Sequence, residues 1–158
     1  MFGKKSVMFQ CLSMLVLGIC ISFFSITAYA AMTTVQSSDK TFTVGSNDYT
    51  NYAKEYYYTG SNNVISGYAN ITKSGGTYAQ TGYLGSTCNI YKKTSSSYSL
   101  VASGSWAYND DPCLGFANTT SMSDPSTNNY MSKGTTAVYN NGSYQTQATY
   151  ATPYISVD

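Results

Sequence analysis

Apolar and polar residues alternate along much of this chain, at the period of two that puts every second side chain on one face of a strand. From residue 64 onward the alternation comes in short runs separated by turn residues. Residues 67–73 (GYANITK) form one run, closed by Ser74-Gly75-Gly76. Residues 77–84 (TYAQTGYL) form the next, closed by Gly85-Ser86. Residues 87–93 (TCNIYKK) lead through a polar TSSS segment into residues 98–108 (YSLVASGSWAY), which predicts a hairpin with a loop of about four residues. Residues 113–117 are short and apolar, and residues 118–129 are polar and turn-rich around Asp124-Pro125. Residues 130–139 (YMSKGTTAVY) and 143–151 (SYQTQATYA) flank Asn140-Asn141-Gly142, where Asn-Gly supplies the positive φ angles of a tight hairpin turn. Pro153 then precedes a last short strand, YISV. No helical period persists beyond two turns. Seven or so short strands predict an all-β protein, an antiparallel β-sandwich of the immunoglobulin-like two-sheet kind, with a small open β-barrel as the alternative.

Residues 31–63 are more polar. TFTV at 41–44 reads as a possible short strand, and KEYYYTGSNN carries three successive tyrosines. In a strand, Tyr56 and Tyr58 would share one face and Tyr57 would take the other. This part is expected to be the least ordered, ahead of a sandwich domain at 64–158. The first thirty residues have another pattern: a basic MFGKK start, an apolar run and the small-x-small site Ala28-Tyr29-Ala30. That is the pattern of a secretory signal peptide cleaved after Ala30, which predicts a secreted protein. Residues 6–38 carry no charge, so an uncleaved membrane anchor is the alternative. No later stretch is apolar enough to span a bilayer.

Composition narrows the function classes. Residues 31–158 hold six lysines and seven carboxylates, a formal charge of −1, with no arginine or histidine. A nucleic-acid partner is not expected, because neutralising phosphates takes a basic stripe. A Ser-His-Asp or Cys-His centre is impossible without histidine. Leu, Ile, Val and Phe number only 15 in these residues, and 16 tyrosines make up apolar area with a polar tip. Two cysteines, Cys88 and Cys113, lie 25 positions apart. In an exported protein they predict a disulfide worth roughly 3 kcal/mol, with two free thiols as the alternative.

Residues 106–113 (WAYNDDPC) gather the one tryptophan and the one adjacent pair of acids. Asp110 and Asp111 are weak candidates for a calcium site, since calcium takes six to eight oxygens and no EF-hand spacing is present. The stronger expectation is a turn, with Asn and Asp capping their own backbone and Pro112 fixing φ. As a glycosidase pair they fail, because adjacent strand residues point to opposite faces. Trp106 is expected as a core anchor packed over a Cys88–Cys113 link; the alternative is a sugar-stacking face shared with tyrosines. Ser37 and Lys40 match the S-x-x-K spacing of serine–lysine enzymes, without the companion motifs. Tyr56, Tyr57 and Tyr58 are the candidate binding residues, since Tyr, Ser, Gly and Asn are residues of adaptable recognition surfaces.

Gly85-Ser86-Thr87, Ile90-Tyr91-Lys92, Trp106, Ser132-Lys133-Gly134, Asn141-Gly142 and Ile155-Ser156-Val157 occur in an order that resembles a family of small secreted all-β proteins of Gram-positive bacteria. The resemblance spans residues 67–158 and implies secretion and an all-β fold, but no reaction. The cysteine pair and the N-terminal tyrosines depart from it. The expected function is a noncatalytic secreted binding or assembly module without a cofactor, its partner a cell-wall glycan or another surface protein. A carbohydrate- or cell-wall-binding module and a secreted toxin or antimicrobial factor are the alternatives.

Overall fold

The computed structural model of the protein describes residues 31–158, so the expected signal peptide and membrane anchor lie outside the described residues. The strands are β1 (Met32–Gln36), β2 (Lys40–Val44), β3 (Asn47–Tyr58), β4 (Val64–Lys73), β5 (Leu84–Lys93), β6 (Tyr98–Ser103), β7 (Ala107–Tyr108), β8 (Gly115–Ser123), β9 (Asn128–Asn140), β10 (Ser143–Ala148) and β11 (Ile155–Val157). They form two antiparallel sheets. The first has the order β1-β3-β4-β8 with β2 also on β3; the second has the order β10-β9-β5-β6, with β11 on β9 and β7 on β5. The sheets do not close, so the molecule is the expected sandwich and not the barrel.

Three outer rows are single strands interrupted part-way, which is why more strands appear than the sequence pattern suggests. Gln36 pairs with Lys54 and Lys40 with Asn51, so Ser37, Ser38 and Asp39 face only Tyr52 and Ala53. That is a β-bulge. The Ala53 amide donates to Ser37 Oγ at 3.0 Å across it. Between β10 and β11 the strand loses its ladder around Pro153. Here the amides of Gly134 and Ser132 donate instead to Thr149 Oγ1 (3.0 Å) and Thr152 Oγ1 (2.9 Å). Between β6 and β7, residues 104–106 face only Thr87 and Cys88. Side chains of the other sheet bond to carbonyls there: Thr120 Oγ1 donates to Cys88 O (2.6 Å), which also accepts from the Gly104 amide (2.9 Å), and Asn118 Nδ2 donates to Ser86 O (3.2 Å).

Two sequence expectations are corrected. Residues 32–58 are integral to the sandwich, and β3 is an inner strand of the first sheet. Its inward face is Tyr49, Asn51, Ala53, Glu55 and Tyr57, all buried. Asn and Glu at inward positions hide the apolar alternation that would have marked it as core. Residues 77–84 do not form the expected strand; Leu84 instead begins β5, and residues 77–83 lie outside any strand. They cross from β4 in one sheet to β5 in the other, with a lone bridge between Ala79 and Cys113 and a turn at Gly82 (φ 76°). The Asn141-Gly142 hairpin is as expected, both residues having positive φ (49° and 87°).

The interior is divided. One apolar cluster contains Val44, Tyr49, Ile71, Leu84 and Val138; the other contains Tyr57, Ile65, Ile90, Tyr130, Ile155 and Val157. Between them lies a waist of small and polar residues, including Asn51, Glu55, Gly67, Ala69, Ser86, Ser132, Gly134 and Thr136. The sheets approach closely there, and Ser86 Oγ donates directly to Ala69 O at 2.6 Å. Asn51 Nδ2 likewise reaches Thr136 Oγ1 (2.8 Å) and Gln147 O (3.0 Å). Such bonds satisfy groups whose burial is otherwise costly.

Candidate functional site

On the outer face of the second sheet, Gly85 of β5 lies between Ala137 of β9 and Tyr108 of β7. Gly85 has no side chain to hold a neighbour away. The Tyr108 ring settles over it, and a Cβ at Gly85 would meet Tyr108 Cε1 at 2.6 Å. Trp106 lies two residues back, on the same face, and stacks on Tyr108 with ring centroids 6.1 Å apart and planes 15° apart. On the other side Tyr108 meets Tyr144 at 4.8 Å. Tyr144 and Tyr139 are a directly paired couple across the β9–β10 hairpin, in edge contact at 5.2 Å. Tyr139 then meets Tyr83 at 5.1 Å. Five rings thus run in one row: Trp106, Tyr108, Tyr144, Tyr139, Tyr83.

The row is open to solvent. Trp106 is 42% exposed, Tyr108 36% and Tyr144 43%. Tyr144 is tied down at its tip, donating to Gly82 O at 2.8 Å. Partial burial, and then the neighbouring Tyr108 and Tyr139, raise its pKa, so it remains a neutral donor. The expected core anchor is therefore corrected: Trp106 is a surface residue. The reason is register. Ala107 pairs with inward-facing Ser86, which turns residues 106 and 108 outward. At Ser86 the sheets are too close to admit an indole.

The row ends at a cleft. Tyr83 and Tyr139 also line a cavity of about 230 Å³ at the end of the sandwich. Its other lining residues are the apolar Val44 and Ala79, the tyrosines Tyr49 and Tyr78, and the polar Asn47, Lys73, Gln80 and Asn140. Two tight hairpins build this end, at Gly45-Ser46 and at Asn141-Gly142, together with the crossing segment that carries Ala79 to Tyr83.

The three successive tyrosines part company as strand geometry requires. Tyr57 is in the core, 7% exposed, and is corrected as a binding residue. Tyr56 and Tyr58 face outward on the first sheet and stack at 6.0 Å. Tyr56 also stacks on Tyr68 at 5.5 Å, shares a hydrogen bond with it (3.1 Å), and has Lys54 Nζ 5.1 Å from its ring centroid. Burial and then the bond to Tyr56 raise the pKa of Tyr68. For Tyr56, burial acts upward, but the Tyr68 bond and the Lys54 charge outweigh it and lower the pKa. Tyr56 is half-buried between its neighbours, and Tyr58 is exposed at the end of this shorter group.

No disulfide joins Cys88 and Cys113; both are free thiols. Cys113 packs against the cluster that contains Leu84, whereas Cys88 lies four residues further along β5, roughly 13 Å at the strand rise. Cys88 is in the waist, and burial, then the charge of Glu55, push its thiol up to about 12. Asp110 and Asp111 are both exposed on their turn. That turn is organised by buried Asn109, which accepts from the Leu84 amide (2.8 Å) and donates to Gln80 O (2.9 Å) and Asp111 O (2.8 Å). Among the described residues no three His, Cys, Asp or Glu side chains converge as a metal site. Ser37 and Lys40 diverge: Ser37 Oγ serves the bulge, and Lys40 Nζ donates to Ala148 O (3.3 Å) across the sheets.

No family model, curated protein or solved structure matches the chain. Among the described residues no helix is long and apolar enough to cross a membrane. Four members of the aromatic row, Tyr83, Tyr108, Tyr139 and Tyr144, were not singled out from sequence. One local signal was available. A two-residue turn at Asn141-Gly142 makes residues 139 and 144 direct neighbours, and both are tyrosine.

Proposed function

We propose that this chain is a noncatalytic extracellular binding module that takes carbohydrate on the outer face of its second sheet. The row from Trp106 to Tyr83 carries the proposal, with its three exposed rings. Aromatic faces are electron-rich and attract the weakly positive C–H faces of sugar rings, while tyrosine hydroxyls exchange hydrogen bonds with sugar hydroxyls. Tyr and Trp also present large area at low cost in conformational entropy. A shallow row bearing polar tips suits a hydroxyl-rich chain better than an apolar ligand, which favours an enclosed pocket. The signal-peptide pattern at residues 1–30 supports placement outside the cell.

Co-sedimentation with insoluble chitin, cellulose and peptidoglycan tests this. Trp106→Ala and Tyr144→Ala are each expected to weaken binding about tenfold with the fold intact by circular dichroism. Tyr56→Ala, on the opposite sheet, is expected to leave it unchanged. Loss of binding in Tyr56→Ala with retention in Trp106→Ala would move the site to the first sheet.

A further inference from the structure

We infer that the end cleft holds an acidic sugar at the terminus of the bound chain, with the following units lying along the aromatic row. This inference rests on the carbohydrate assignment above. Continuity is the first observation. Tyr83 and Tyr139 belong both to the cleft wall and to the row, so a chain leaving the cleft meets Tyr144, Tyr108 and Trp106 in turn. The row itself is five uncharged rings. The cleft differs from it in chemistry. Asn47, Gln80 and Asn140 offer amide donors and acceptors suited to hydroxyls, and Lys73 adds a positive charge.

Among the described residues Lys73 is the one charged residue in the lining, and no carboxylate lines the cleft beside it. Nearby Asp48 is turned to its own hairpin, accepting from Thr43 Oγ1 at 2.7 Å. Lys73 ends β4, and its Nζ is held by Thr77, donating to the carbonyl (3.1 Å) and to Oγ1 (2.9 Å). An ammonium has three N–H groups, so one remains for a ligand. The two bonds fix the head of a half-buried side chain, which removes much of the ordering cost that weakens exposed ion pairs. A carboxylate-bearing sugar is the ligand group that complements this arrangement: charge for Lys73, hydroxyls for the three amides, and a C–H face for Tyr83 or Tyr139.

The test compares cellotetraose, chitotetraose and maltotetraose, each beside its own form oxidised to a uronic acid at the terminal sugar, by isothermal titration with the intact chain. At least one skeleton is expected to bind, with its oxidised form about fivefold to tenfold tighter at low salt and the difference shrinking as salt is added. Lys73→Gln is expected to erase that preference, bringing the two forms to equal affinity; Lys73→Arg is expected to keep it. Equal affinity for both forms in the natural protein, or a preference that survives Lys73→Gln or is insensitive to salt, overturns the inference and leaves the carbohydrate assignment standing. Failure of every skeleton to bind overturns both.

Discussion

Folding stability is expected to fall by roughly 3 kcal/mol between about pH 5 and about pH 8, and Glu55→Gln is expected to remove that fall. Glu55 lies in the waist, fully buried, on the inward face of β3. Burial pushes its carboxyl from the ordinary 4.5 up to about 7, and the hydroxyls of Ser132 and Thr152 pull it back only in part. A raised acid stabilises the fold below its unfolded pKa, where both states hold the proton. The stabilisation is lost as pH rises through the folded value, because the native state must then bury a charge. The pairing around it is incomplete: Thr152 Oγ1 lies 3.3 Å from Oε2, while Oε1 and Ser132 Oγ have no well-formed bond. The other titratable group beside it, Cys88, ionises near 12, far outside this window. Urea denaturation at the two pH values checks it. A natural protein equally stable at both, or more stable at the higher, contradicts a buried acid at this position.

The second large effect concerns Gly134 on the inward face of β9. A Cβ there would collide with the Ala69 Cβ of the facing sheet and stand 2.6 Å from Thr87 O. Backbone cannot yield as a flexible side chain can. Gly134→Ala is therefore expected to cost about 3 kcal/mol, the upper end of the range for overpacking. Gly76→Ala is the control: a Cβ there meets nothing within 4 Å, and it should change stability by less than about 0.5 kcal/mol. Denaturation midpoints compare the two. Equal stability of the two variants would mean the sheets are not in close contact at the waist.

The first effect arises where the sequence pattern is least informative, in β3. The alternation from residue 64 and the Asn-Gly turn made the sheets legible because inward positions there are mostly apolar and the turn chemistry is local. β3 was obscured because its inward face includes Asn51, Ala53 and Glu55, whose partners Thr136 and Thr152 lie on the other side of the sandwich. No single stretch of sequence contains that information. Trp106 went astray for a related reason. Whether residue 106 points in or out depends on the register of β7 against β5 and on the extra residue in the interruption before it. The cysteine pair suggested a staple through parity alone, and the position of Cys88 along β5 rules it out.

The binding surface was legible only as composition. Abundant tyrosine pointed to recognition or to a tyrosine-rich core, and both occur: Tyr49, Tyr57 and Tyr130 are inside. The outward rings become a row through cross-strand pairing, with Gly85 and Ala137 providing a bed flat enough for Tyr108.

Because Trp106 is the single tryptophan, its fluorescence reports directly on the proposed surface. The decisive measurement is its emission during titration with the same tetrasaccharides. The expected result is a solvent-exposed spectrum, readily quenched by acrylamide, that shifts to the blue and becomes protected from quenching as a sugar binds. A buried, unquenchable spectrum in the free protein, or sugar binding that leaves the emission of Trp106 unaltered, would contradict an aromatic row that is open and serves as the ligand face.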